Sequence, residues 1–232
     1  MNSPFSDFPP YDAQRAVERR KQLFEFVLPS DCAAVYYFTD ESGLCSGPAP
    51  ANEYIRFVFL VNMASDCSTS FTGTWTCNAF FLDAEPTSRP SRTRHFQLVH
   101  EPEADGLDFA RWAGMVMRYL SGFHLGAQMP AADCHDLATV LEAVANPRLK
   151  FTLIRPVDEY EIVSALSTIP DYTNLLAMFY GPVGRFCPVS SMGEIFDLHH
   201  SQDGWFKFAG GIHLDEDCAV MLLGEPVESR DS

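Results

Sequence analysis

The chain predicts an α+β fold: a mixed, mainly antiparallel sheet with about three to four packed helices. Three observations carry that expectation. Short, β-prone apolar segments recur along the sequence, amphipathic helical segments are interspersed among them, and the two do not alternate strictly as in a doubly wound sheet. The 232 residues are 47% hydrophobic and include nineteen phenylalanines, enough apolar material for a large core.

The elements follow in order. Residues 1–11 combine Pro4, Pro9 and Pro10 with Phe5, Phe8 and Tyr11 and read as an irregular arm. Asp12 can cap a helix reaching about Phe26, with Ala16, Leu23 and Phe26 apolar and Arg15, Arg19, Arg20 and Lys21 making it basic. Residues 1–30 thus form an arm and basic helix, residues 31–224 a single α+β domain, and residues 225–232 a loose polar tail.

Residues 32–38 read as a strand and 39–52, with Gly43, Gly47, Pro48 and Pro50, as a loop. The clearest strand is 54–62, where Ile55, Phe57, Phe59 and Val61 alternate with Tyr54, Arg56, Val58 and Leu60. Both faces are largely apolar, so the strand belongs at the centre of a sheet covered on both sides. Residues 65–76 form a Ser/Thr-rich excursion. The strands at 76–82 and 95–100 suggest a hairpin, joined by a solvated loop carrying Arg89, Arg92 and Arg94.

Asp105 or Asp108 caps an amphipathic helix over 109–120, with Trp112, Val116, Met117 and Leu120 on one face. Gly122 is expected to stop it, leaving 123–126 extended. A second helix, 136–145, places Leu137, Val140, Leu141 and Val144 together before Asn146-Pro147 ends it. Residues 149–179 look like the packed centre of the domain. Lys150 to Ile154 alternates as a strand, Pro156 closes it, and Asp158 opens a helix bearing Ile162, Val163, Leu166 and Ile169. A second apolar run, 175–179, follows Pro170-Asp171. Further strands are expected at 194–199, 205–208 and 218–223, with a turn at Gly210-Gly211.

The net charge of −15 is the most informative total. It repels nucleic-acid phosphates and anionic lipid and favours steered association with a basic protein partner. Candidate contacts are the acids Asp40 and Glu41 on one loop and Asp215, Glu216 and Asp217 on another. The first residues lack the basic and apolar regions of a signal peptide, and no apolar run approaches the roughly twenty residues of a membrane helix. Seven cysteines without a CxxC spacing read as reduced, mostly buried thiols, so a cytoplasmic location is expected.

Chemistry-bearing patterns are sparse. GxxxxGK[ST], GxGxxG and GxSxG are all absent. Cys187, with Asp197, His199 and His200 downstream, supplies the residue types of a thiol-dependent hydrolase, which is the alternative function. His199, His200 and His213 with Asp215 could bind metal only if adjacent histidines shared a face, which a strand forbids. His95 and His100, five apart, face oppositely for the same reason, and Asp136 beside Cys134 and His135 reads as a helix cap. No catalytic residue, metal or cofactor is therefore expected. A further alternative is a viral or phage assembly component that docks through the proline-aromatic arm.

Several pieces resemble suppressor-of-fused-like domains. These are the strand Ala34-Val-Tyr-Tyr-Phe38, the strand beginning Tyr54-Ile-Arg-Phe, a helix ending Met117-Arg-Tyr-Leu120, and Phe123-His-Leu-Gly126 followed by Pro130. The segment from Phe151 through Pro156 to Glu161 is similar to that family's Phe-Leu-x-x-x-Pro-Ile-Thr-x-x-Glu region. The similarity spans residues 33–180. Ile55-Arg56 replaces the family's Glu-Leu pair, and residues 65–105 have no counterpart. The resemblance implies an α+β, non-enzymatic protein-binding domain, used in bacteria as an immunity protein against toxins.

Overall fold

The computed structural model describes residues 33–39, 42–51, 53–65, 78–89, 92–125, 134–155, 172–181, 206–212 and 218–227, together with Gln22, Leu28 and Ser164. Nine strands occur among them: β1 Ala34–Thr39, β2 Gly43–Ser46, β3 Ile55–Val61, β4 Asn78–Asp83, β5 His95–Val99, β6 Arg148–Ile154, β7 Tyr172–Gly181, β8 Phe206–Ile212 and β9 Ala219–Pro226. Three helices accompany them: α1 Pro102–Asp105, α2 Phe109–Leu125 and α3 Cys134–Ala143. The strands form one mixed sheet in the order β2-β1-β3-β4-β5-β6-β9-β7-β8.

Pairing is antiparallel at β2–β1, β1–β3, β6–β9 and β9–β7. It is parallel at β3–β4, β4–β5, β5–β6 and β7–β8. The sheet dominates the architecture.

The parallel middle corrects one expectation. β4 and β5 are adjacent but run the same way, from Ala79↔His95 to Asp83↔Val99, so they are not a hairpin. The connection must return to the start of β4, where Ala79 N donates to Arg94 O at 2.8 Å. Alternating apolar residues mark a strand without stating its direction. Here direction is decided by what holds the connection down.

A second correction concerns the expected 39–52 loop, which contains β2. Gly43 takes a left-handed φ of +70° to turn the chain back, and the Glu53 carboxylate accepts from the Thr39 and Ser42 hydroxyls across the turn. β3 is central and buried on both faces, as its sequence requires. Phe57, Phe59 and Val61 join the larger core with Phe80 and Phe96, while Val58 and Leu60 pack with Tyr37, Ala79 and Phe81 on the other side. Phe57, Phe80 and Phe96 run across β3, β4 and β5 with ring centroids 5.8 Å apart at each step, within the range of favourable aromatic pairs.

Helix α2 lies on that larger core through Trp112, Ala113, Val116, Met117 and Leu120. Its start is capped by Asp108, whose Oδ1 accepts from Arg111 N at 2.9 Å. The helix does not stop at Gly122, and 123–125 are helical rather than extended. A Cβ added at Gly122 would sit 3.8 Å from Tyr180 Oη, an ordinary van der Waals contact, so this glycine packs beside the β7 tyrosine. Tyr180 donates to Tyr119 O at 2.8 Å from a fully buried site, with its ring edge-on to Tyr119. Tyr180→Phe should therefore lower stability by about 1 kcal/mol in urea unfolding, with little change in the slope.

Three further boundaries differ from the sequence reading. The apolar run at 175–179 is the middle of strand β7, Gly210 and Gly211 lie inside β8, and β9 extends through Glu225 and Pro226. Apart from Ser164, the helix expected from Asp158 lies outside the described residues, as does the strand expected at 194–199. Among the described residues no helix is long and apolar enough to cross a membrane.

Candidate functional site

β5 and β6 pair only at Gln97↔Arg148 and Leu98↔Leu149. Beyond Leu149, β6 continues from Lys150 to Ile154 paired, among the described strands, with β9 alone. The chain leaving β5 turns aside through α1, which Gly106 closes in a left-handed conformation with its N–H on Pro102 O at 2.9 Å. The divergence opens a cleft of about 430 Å³. It lies at the carboxyl ends of parallel strands, where α/β sheets commonly hold ligands.

Val99, Leu107, Trp112 and Met115 supply the apolar wall, and Lys150, Phe151, Thr152 and Leu153 supply the other. Successive residues of a strand point to opposite faces. A cleft touched by four consecutive residues of β6 therefore looks onto the edge of that strand. Phe151 and Leu153 lean onto the α2 side, where they pack against the larger core.

Charge sits at the rim. Lys150 Nζ lies 2.8 Å from Glu101 Oε2, a partly exposed pair worth up to about 1 kcal/mol. Arg155, just past β6, is exposed. On the sheet, Thr152 Oγ1 and Tyr172 Oη are 3.2 Å apart although β9 runs between their strands. Tyr172 reaches across because Gly224 has no side chain: a Cβ there would lie 3.0 Å from the tyrosine ring.

The Tyr172 phenol is pushed up to about 12, chiefly by burial, with the Thr152 hydrogen bond opposing and the Glu101 carboxylate adding to the rise. The fold therefore keeps a proton that the unfolded chain loses near its ordinary value of about 10. The stability this contributes is complete below about pH 10 and is lost as pH climbs through the folded value. Unfolding midpoints measured from pH 8 to 12 should fall above pH 10, less steeply in Tyr172→Phe. Tyr180, also raised by burial, accounts for part of the remaining slope.

The cleft can hold an apolar group against Trp112 and Met115 and orient it through the rim charges. No Ser, Cys or His nucleophile–base pair faces it among its described lining residues. Among the described residues there is also no group of three or more His, Cys, Asp or Glu placed to hold a metal ion. Asp40, Glu41, Asp215, Glu216 and Asp217 lie outside the described residues, as do Cys187, Asp197, His199, His200 and His213. Helix α3 begins at Cys134, so Asp136 stands inside its first turn, where an acid suits the helix N-terminus, and not at the capping position expected for it. The Cys45 thiol is raised by burial and then by Glu53, which keeps it protonated and unreactive.

One cluster corrects the reading of the arginine-bearing connection as a solvated loop at Arg89, while Glu85, Pro86, Ser88, Arg92 and Thr93 are exposed as expected. The Arg89 side chain is only 8% exposed and pairs with the buried carboxylate of Asp83. Its Nε lies 3.1 Å from Asp83 Oδ2, and its remaining donors reach Met63 O at 2.7 Å and Ala64 O at 2.8 Å. Gln97 Nε2 completes the set, donating to Asp83 Oδ2 at 2.7 Å and Thr87 O at 2.8 Å. Arg89 also lies over the Phe81 ring, 4.5 Å from its centroid. Arg94 ion-pairs with Glu142 at 2.9 Å, while Arg92 is exposed. The available signal was an acid ending an apolar strand, Phe80-Phe81-Leu82-Asp83, with an arginine in the following connection.

No family model matches the chain, and no curated protein matches it. Solved structures that resemble it include an empty FtsZ dimer from M. jannaschii, at a TM-score of 0.43 and 16% identity, covering 58% of this chain and 46% of that one. A mutant of the same FtsZ gives a TM-score of 0.43 and 15% identity over 58% of this chain and 48% of that one. The chain thus spans about half the length of those FtsZ chains.

Proposed function

We propose that this chain is an acidic, non-enzymatic protein-binding module that masks a basic partner in the cytoplasm, in the manner of an immunity or antitoxin-like protein. The observation that carries this reading is the net charge of −15 on 232 residues. A field of that sign and size accelerates encounter with a cationic protein and disfavours nucleic acid and anionic lipid. The cleft beside β6 adds a concave, apolar-walled surface suited to a protein segment. The resemblance to suppressor-of-fused-like domains implies the same class of function.

The test is affinity capture with the tagged protein from its native lysate at low and high salt, read by mass spectrometry. A single basic protein held at low salt and released at high salt supports the proposal. Partners that are neutral or acidic, or an eluate with none, refute it. Exchanging Asp40, Glu41, Asp215, Glu216 and Asp217 for their amides should then weaken binding and flatten its salt dependence. Unchanged affinity and slope would remove those loops from the interface.

A further inference from the structure

We infer that the β6 edge that no described strand covers in the cleft is a strand-addition site for an extended peptide segment of a protein partner. This rests on the binding reading above and names where and how the partner engages. The backbone argument is geometric. Gln97 N donates to Pro147 O at 2.8 Å, so the Pro147 carbonyl points towards β5. Backbone groups in a strand alternate sides with a period of two, so Leu149, Phe151 and Leu153 direct their N–H and C=O the same way. Leu149 is opposite Leu98, but β5 ends at Val99. No described strand pairs with Phe151 or Leu153 on that side, while Lys150, Thr152 and Ile154 point to β9 and pair with Gly224, Leu222 and Val220. Two donors and two acceptors thus face the cleft, the lane that an added strand would take, with Trp112 and Met115 as its apolar wall.

Charge and pleat specify the occupant. In a chain of net charge −15, the described lining residues of the cleft hold two cations, Lys150 and Arg155, and one acid, Glu101. Glu101 already neutralises Lys150, which leaves the Arg155 guanidinium to be matched. Phe151, Leu153 and Arg155 are spaced by two and share a face. A segment lying beside them presents two apolar side chains and then an acidic one, each separated by one residue. Main-chain pairing supplies affinity and these alternate positions supply register. The partner's overall basic charge brings it to the surface, and this segment seats it.

The experiment is amide hydrogen exchange by NMR on the full chain. In the free protein the Phe151 and Leu153 amides should exchange at least tenfold faster than those of Lys150, Thr152 and Ile154. Equal protection would mean that the chain's own residues, such as the 1–11 arm, already fill the lane, and would overturn the inference. The probes are pooled end-blocked heptapeptides with Val, Leu, Ile or Phe at two alternate positions and Asp or Glu at the next, in both orders. They should slow both amides, and backbone N-methylation of the peptides should abolish the effect. Arg155→Glu should transfer the preference to pools carrying Lys in place of the acid. Failure of every pool to slow either amide overturns strand addition, as does an unchanged preference in Arg155→Glu. A captured basic partner that leaves both amides untouched would refute this site while the masking function stood. Strand addition without charge-dependent capture would do the reverse.

Discussion

Arg89→Ala should lower the unfolding free energy by about 3–5 kcal/mol, among the largest losses available to a single substitution here. Removing the guanidinium strands the Asp83 carboxylate, 2% exposed, with Gln97 as its remaining partner. It also frees the Met63 and Ala64 carbonyls and the face of Phe81. Arg89→Lys should recover only part of the loss, because a single ammonium cannot reproduce the planar fork that serves Asp83 and two carbonyls together. Replacing both partners, as in Asp83→Leu with Arg89→Met, should cost much less than Arg89→Ala alone. The reason is that no uncompensated charge then remains buried. Urea unfolding of the three variants checks this. Equal losses in the single and double variants would show that the pair's electrostatics are not what holds the connection.

Gly224→Ala should be comparably damaging for a steric reason. An added Cβ would fall 2.1 Å from the Asn174 carbonyl oxygen, a backbone atom, and 3.0 Å from the Tyr172 ring. Strand β9 or β7 must move, and the expected cost is about 3 kcal/mol or more, at the upper end of overpacking effects. Glu225 next to it accepts from Ala145 N, Asn146 N and Asn174 Nδ2, so the shift should reach the turn between α3 and β6. Gly114→Ala makes the control. Its Cβ would meet only Leu28 Cβ, at 3.9 Å, inside helix α2, so the usual helix preference should raise stability by up to about 1 kcal/mol. A thermal melt of both separates them: the midpoint should fall for Gly224→Ala and hold or rise for Gly114→Ala.

Much of the element inventory was legible because it depends on local spacing. The alternation in 55–61 marked a strand buried on both faces, and Trp112, Val116, Met117 and Leu120 marked the inner face of α2. Errors arose where one residue type serves two ends. Gly122 resembles a helix stop, yet α2 runs through it to Leu125 and it packs beside Tyr180. Arg89 resembles a loop cation, yet its charge is matched by an aspartate six positions earlier. The candidate cleft was not legible at all, since Trp112 and Phe151 are brought together only when β5 ends early and β6 runs on.

The sequence alone determined that this chain has strands enough for a large sheet, an amphipathic helix to cover it, and an acidic surface. Those properties follow from side-chain period and summed charge, which need no knowledge of distant neighbours. Only the tertiary structure decided that β4 and β5 are parallel, that an ion pair is buried in their connection, and that no described strand pairs with β6 beyond Leu149 on its β5 side. Each of these depends on which strands become neighbours and where each one stops. That outcome is set by contacts between residues far apart in the chain, and no local pattern records it.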